Sequence, residues 1–127
     1  MLLLYIAAGG AAGALARYGL GGWVHSWAGA RYPWGTVVIN LLGSLLIGYA
    51  VRYLEAVPAT PEVRALVTIG LLGSFTTFST YTYEAVALLR DGEWLRAGLY
   101  SLGSLALGLV AVVVGAAAAS AVLHARG

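Results

Sequence analysis

The segment Gly70–Tyr81 reads GLLGSFTTFSTY and lies near the middle of the third long apolar stretch of the chain. Five of its twelve residues are Ser or Thr, two are Gly and three are aromatic. A regular helix that faces lipid gains nothing from this composition. We predict a membrane helix that is interrupted between Gly73 and Thr76, with carbonyl groups that point into protein or a cavity. The alternative is a packing segment whose hydroxyls bond back to their own helix.

The chain as a whole is too apolar for a water-soluble domain. Of its 127 residues, 61% are hydrophobic and only 9% are charged, whereas a soluble domain carries about 25% charged residues. A hydrocarbon core of roughly 30 Å takes about 20 apolar residues per helix, so the length allows about four spans. We therefore predict an all-α membrane protein with one four-helix domain over residues 1–127. We find no nucleotide-binding or nucleophile motif, and expect neither an enzyme nor a nucleic-acid partner.

Charged residues and prolines divide the chain into four apolar stretches. The expected spans run from about Leu2 to Val24, Trp34 to Leu54, Arg64 to Leu89 and Trp94 to Leu123. The four tryptophans fall near span ends, where an interfacial aromatic belt would place them. The apolar start resembles the core of a signal peptide, but the basic residues that precede such a core are missing, so we expect no cleavage.

The arginines do not fix an orientation in the membrane. They divide between the end that carries both termini and the opposite end: Arg52, Arg64 and Arg126 against Arg31, Arg90 and Arg96, with Arg17 nearer the second group. Orientation follows an excess of basic residues on one side. This balance favours insertion in both orientations and permits an antiparallel homodimer; a fixed topology set by another feature is the alternative.

Glycine is abundant, with 18 residues. Gly9 and Gly13 form a small-xxx-small face, which lets helix backbones approach closely. Similar small positions recur in the later spans, at Gly43, Gly48, Gly98, Gly103, Gly108 and Gly115. The pattern predicts tight helix association, either within the chain or between chains.

A polar stripe runs along the second span. Thr36, Asn40 and Ser44 are spaced by four residues and share one helix face. Asn40 is the costly member because its amide needs partners in a dry environment. Its NH₂ group could donate to an anion. Alternatively, it forms an interhelical hydrogen bond, which typically contributes about 0.6 kcal/mol.

Aromatic and hydroxyl groups form two further pairs. Phe78 and Tyr81 are three residues apart and share a face on a continuing helix. Because the edge of an aromatic ring is electropositive, the two rings could contact a small anion. Tyr100 and Ser104 align two hydroxyls along the fourth span, as donors on a path or as an interfacial tyrosine and a packing serine.

Two charged side chains lie well inside predicted spans, away from their ends. Arg17 either attracts anions to a vestibule or is paired within the structure. Glu84 is the only acidic residue well inside a span, and a coupling carboxylate is one interpretation of it. The two histidines, His25 and His124, lie at span ends and do not have the spacing of a metal site.

Three motifs in this order resemble those of the bacterial fluoride channel family, called Fluc or CrcB. They are GGAAGALARY at Gly9–Tyr18, PWGTVVINLLGS at Pro33–Ser44 and the segment Gly70–Tyr81. The run Thr76–Thr80 is the most specific element, and the fourth span is the least distinctive. The resemblance implies an antiparallel homodimer in the inner membrane. It also implies two pores between the protomers and passive, selective exit of fluoride that protects the cytoplasm.

The resemblance also implies roles for individual residues. Asn40 resembles the pore asparagine and Phe78 the first pore phenylalanine, whereas Tyr81 stands where the family usually has a second phenylalanine. Hydroxyl donors complete the expected fluoride pathway, at Thr36, Thr77, Tyr100 and Ser104. A structural Na⁺ ion would be held by backbone carbonyls at positions corresponding to Gly73 and Thr76.

Two other functions compete with a channel. A small multidrug transporter also has about four helices and dual topology, but proton-coupled export needs a membrane-embedded acid, and the first span has none. A non-transporting assembly protein is the third interpretation. Packing alone would not require the polar run in the third span, which argues against it.

Overall fold

The computed structural model describes all 127 residues and is entirely helical. The elements are α1 (Leu2–Ala28), α2 (Trp34–Ala56), α3 (Pro61–Arg64), a π-helical segment (Ala65–Leu72), α4 (Gly73–Phe75), α5 (Phe78–Arg90) and α6 (Trp94–Arg126). Four helical stretches are long and apolar enough to cross a membrane, and Pro61–Arg90 counts as one of them. The prediction of an all-α protein with four spans is therefore confirmed. α1, α2 and α6 each continue a few residues beyond the predicted ends.

Turn chemistry explains where the helices begin and end. Gly29 and Gly92 follow α1 and α5 with positive φ angles of 81° and 75°, a conformation that favours glycine. Thr60 caps α3 by accepting a hydrogen bond from the Val63 amide at 3.3 Å, and Pro61 occupies the first helical position, where its missing N–H costs nothing. These short connections force neighbouring spans to run in opposite directions.

Glycine contacts hold α1 against the third span. A Cβ atom on Gly9 would overlap the carbonyl oxygen of Leu66, and one on Gly13 would overlap that of Leu71. On the opposite side, a Cβ on Gly70 would lie 2.7 Å from the carbonyl oxygen of Ile6. The two backbones are thus in direct contact along the π-helical segment. The predicted small-xxx-small face is confirmed as a packing surface within the chain.

α2 and α6 meet in the same way. A Cβ on Gly48 would overlap the Val112 carbonyl, and one on Gly115 would overlap the Leu45 carbonyl. By contrast, a methyl group added to Gly98 or Gly103, in the first half of α6, would have no atom within 4 Å. Glycine-mediated contact therefore joins α6 to α2 over the second half of α6, whereas Gly98 and Gly103 in its first half remain open.

Most apolar side chains lie on the outside. Only 16 of 127 residues are buried, which suits a bundle whose exterior meets hydrocarbon rather than water. All four tryptophans are partly or largely exposed at one end of the bundle, where α1 ends and α2 and α6 begin: Trp23, Trp27, Trp34 and Trp94. The opposite end, which carries both termini, has no tryptophan.

Candidate functional site

The third span loses its helical conformation at two threonines. Thr76 has φ −81° and ψ 159°, and Thr77 has φ −146° and ψ 118°, so both are extended. Gly73–Phe75 is helical and α5 begins at Phe78. The interruption overlaps the expected segment, Gly73 to Thr76, only at Thr76 and extends to Thr77, whereas Gly73 keeps helical angles.

Side chains replace the helical hydrogen bonds that are lost at these threonines. Asn40 of α2 accepts from the Thr77 N–H at 2.8 Å and donates to the Thr77 carbonyl oxygen at 2.9 Å. The Thr77 hydroxyl accepts from the Thr80 amide at 3.3 Å and caps α5. The amides that would serve the carbonyls of Gly73 and Thr76 in a continuous helix thus have other acceptors.

Arg17 contacts the same region from α1. Its Nε donates to the carbonyl oxygen of Ser74 at 3.1 Å, and this oxygen would pair with the Phe78 amide in an uninterrupted helix. The interpretation of Arg17 as a paired residue within the structure is therefore confirmed. Its role at a vestibule stays a prediction.

Most of the predicted site residues meet at one groove of about 450 Å³. The groove lies between α2, the third span and α6, and seven of the predicted residues line it: Asn40, Gly73, Thr76, Thr77, Phe78, Tyr81 and Ser104. The side chain of Phe78 is 77% exposed there. No charged residue lines the groove. Thr36, Tyr100 and Arg17 lie outside it.

Thr36 and Tyr100 converge instead on Glu84. The Thr36 hydroxyl donates to Glu84 Oε1 at 2.9 Å, and the Tyr100 hydroxyl donates to Oε2 at 3.0 Å. Each carboxyl oxygen of Glu84 thus accepts one hydrogen bond, and the two bonds hold its side chain between three helices. Glu84 and Thr36 also line a second cavity of about 360 Å³ at the end of the bundle that carries the tryptophans.

A chain of aromatic rings leads from the groove towards that second cavity. Successive ring centroids are 5.9 Å apart for Phe78 and Tyr81, 5.2 Å for Tyr81 and Tyr100, and 5.7 Å for Tyr100 and Tyr32. The Tyr81 hydroxyl donates to the carbonyl oxygen of Ser101 in α6. Tyr81 is therefore anchored to α6 while its ring borders the groove.

Sequence reasoning missed three of these partners. Tyr32, Ser101 and the role of Glu84 as an acceptor were not predicted, since they depend on which helices become neighbours. Only Glu84 gave a signal, as an isolated acid within a span.

A multi-pass bundle with an interrupted span beside an uncharged groove is an architecture found in membrane transport proteins. The chain belongs to the CrcB family: the family model described as "CrcB-like protein, Camphor Resistance (CrcB)" matches residues 4–116. The resemblance inferred from the three motifs is thereby confirmed.

Similar proteins from several bacteria carry one name, "Fluoride-specific ion channel FluC". A protein of Thermus thermophilus is 48% identical over 112 residues, covering 88% of each chain. That of Hahella chejuensis is 47% identical over 116 residues, covering 91% of each. That of Geobacter sulfurreducens is 47% identical over 118 residues, covering 92% of this chain and 95% of the relative. The family is thus one of ion channels and not of enzymes.

Proposed function

We propose that this chain is a fluoride-selective channel through which fluoride leaves the cytoplasm passively across the inner membrane. The observation that carries the proposal is the meeting of Asn40, Phe78, Tyr81 and Ser104 on one groove, in a chain whose relatives are named as fluoride-specific ion channels. Loss of fluoride down its gradient would protect the cell from its toxicity.

The groove offers what a small, strongly hydrated anion needs. Hydroxyls at Thr77 and Ser104 can donate hydrogen bonds, the Asn40 amide keeps one N–H beyond the one given to Thr77, and ring edges at Phe78 and Tyr81 are electropositive. A lining without charge keeps binding weak enough for the ion to leave. Thr36 and Tyr100 would extend the path towards the second cavity only by exchanging an acceptor, because each hydroxyl has a single hydrogen and donates it to Glu84.

A second copy of the chain would complete the pathway. One side of the groove is open, and hydroxyl and amide groups left against lipid tails would be costly. The open glycines Gly98 and Gly103 on α6 would allow another backbone to approach. Together with the balanced arginines, these features support an antiparallel homodimer with two pores at its interface.

The interruption of the third span suits a structural Na⁺ ion. The carbonyl oxygens of Gly73 and Thr76 are both without the amide donors of a regular helix, because Thr77 N–H bonds to Asn40 and Thr80 N–H bonds to the Thr77 hydroxyl. Carbonyl oxygens released in this way are typical ligands of sodium in membrane proteins. These two groups would hold the ion, which would supply a fixed positive charge beside the interruption.

Flux measurements on purified protein test the proposal. Liposomes that contain the protein should release fluoride down its gradient with a potassium ionophore present and without a proton gradient, and should release far less chloride. Protein-free liposomes are the control. Proton-driven export of a cationic drug without fluoride flux would show instead that the chain is a small multidrug transporter.

Topology is tested separately. A reporter at the C-terminus should appear on both sides of the cell membrane in comparable amounts, because the arginines do not favour one orientation. A matched variant with three additional arginines near the C-terminus should shift the reporter to the cytoplasmic side. A reporter found on one side only in the unaltered chain would contradict dual topology.

A further inference from the structure

The amide of Asn40 uses both of its ends on one residue of the third span. Its Oδ1 accepts from the Thr77 N–H at 2.8 Å and its Nδ2 donates to the Thr77 carbonyl oxygen at 2.9 Å. Two such bonds between one side chain and one backbone residue imitate a hydrogen-bonded pair in an antiparallel sheet. Asn40 therefore fixes the orientation of the peptide groups of Thr77 as well as their distance from α2.

This pairing acts on the carbonyl of Gly73. In a continuous helix the Thr77 N–H would donate to the Gly73 oxygen. Because Asn40 accepts that hydrogen bond instead, the Gly73 oxygen keeps its lone pairs for another ligand. If the Asn40 amide moved away, Thr77 could return its N–H to Gly73 and the helix could close over the interruption.

Asn40 also belongs to the groove. It lines the same cavity as Phe78 and Ser104, and Thr77 engages only one of the two hydrogens on its Nδ2. The second hydrogen remains for a ligand in the groove. Asn40 thus contacts the interruption through its oxygen and one N–H, and keeps its second N–H for the groove.

We propose that Asn40 couples the sodium ion to the fluoride pathway. Through Thr77 it positions the Gly73 carbonyl for Na⁺, and through its remaining N–H it donates to fluoride. The inference rests on the proposed function, from which it takes both ions. Since coupling between two binding sites is reciprocal, each ion should change the affinity of the other by the same factor.

The chain provides a specific reporter for this coupling. Asn40 is the only asparagine and there is no glutamine, so its NH₂ group is the only side-chain carboxamide in the protein. Protein labelled with side-chain ¹⁵N-asparagine, in nanodiscs, should show one such pair of NMR signals. Titration with NaCl, with choline as the replacement cation, should shift this pair. The sodium dissociation constant from this titration should agree with the one obtained from the rise in melting temperature with sodium concentration. Fluoride should shift the same pair of signals further.

A pair of variants separates this role from general packing. Asn40→Leu keeps a similar shape but loses both bonds to Thr77. The sodium dissociation constant, obtained from the rise in melting temperature with sodium concentration, should therefore increase about tenfold, as expected for a loss of about 1.4 kcal/mol. Ser44→Ala is the control: Ser44 lines the same groove one turn further along α2, and Thr77 bonds to Asn40 rather than to Ser44. Its sodium dependence should equal that of the unaltered protein.

The outcomes distinguish the inference from the proposed function. If sodium stabilises the protein but leaves the Asn40 signals in place, or if Asn40→Leu keeps the original sodium dependence, the coupling is wrong and the fluoride channel stands. If sodium has no effect on the unaltered protein, the proposed sodium site is wrong, and the coupling that depends on it is wrong as well. Should Asn40→Leu fail to fold, the NMR titration of the unaltered protein decides.

Discussion

The glycine contacts and the groove are opposite in structure: the first join helix backbones closely, and the second presents side chains to open space. Where α1 meets the π-helical segment, and where α2 meets α6, glycines bring two backbones into direct contact. In the groove, by contrast, the third span presents polar side chains and an exposed phenylalanine to open space. Stability thus comes from positions without side chains, whereas a few side chains such as Asn40 and Phe78 supply the groups proposed to contact fluoride. Substitutions at the two regions should therefore have separable effects on folding and on flux.

The largest effect is expected at the glycine contacts. Gly13→Ala places a methyl group onto the Leu71 carbonyl oxygen, and overpacking against a rigid backbone costs about 1–3 kcal/mol or more. The melting temperature in detergent should fall steeply, or the protein should not accumulate. Gly19→Ala is the matched control in the same helix, because Gly19 has no atom within 4 Å of its added methyl group. Equal stability of the two variants would contradict the proposed packing.

The second effect separates the groove from the core. Phe78→Ile removes an exposed ring and its electropositive edge, so fluoride flux should fall tenfold or more, about 1.4 kcal/mol of barrier, while the melting temperature stays nearly unchanged. Phe75→Ile alters a ring that is only 6% exposed; it should lower stability by about 1–1.5 kcal/mol and affect sodium binding more than anion selectivity. Original flux in a folded Phe78→Ile dimer would contradict the assignment of Phe78 to the pore.

The smallest effect concerns the place where this chain departs from the family pattern. Tyr81→Phe removes the hydroxyl that donates to Ser101 and leaves the ring. We expect a loss of about 1 kcal/mol of stability and a flux within a few-fold of the original. Tyr83→Phe, on the exposed face of the same helix, should change neither. A complete loss of flux in Tyr81→Phe would show that the hydroxyl itself acts on the ion.

Local sequence signals predicted the elements better than their contacts. Apolar length predicted four spans, and the polar run Gly70–Tyr81 marked the region where the third span loses its helical conformation. The exact position of the interruption was not predicted, because it depends on the hydrogen bonds that Asn40 makes with Thr77. Asn40 lies 37 residues earlier in the chain than Thr77.

The contacts that could not be predicted are the long-range ones. Glu84 was visible as a lone acid, but its donors Thr36 and Tyr100 belong to two other helices. No periodicity within one segment shows that three helices bring these groups together. The same holds for Arg17, whose bond to Ser74 depends on how closely glycine lets α1 approach the third span.

Because all four indoles lie at one end of the bundle, the tryptophan fluorescence of each protomer reports which leaflet that end occupies. In an antiparallel dimer half of the tryptophan emission comes from each leaflet, whereas a parallel dimer emits from one leaflet only. An aqueous quencher added outside sealed vesicles should then dim every single dimer by about half, because indoles at the interface are accessible from their own side only. Parallel dimers would divide into fully dimmed and fully bright molecules. The emission of single vesicles that each contain one dimer can thus distinguish antiparallel from parallel dimers without an attached dye.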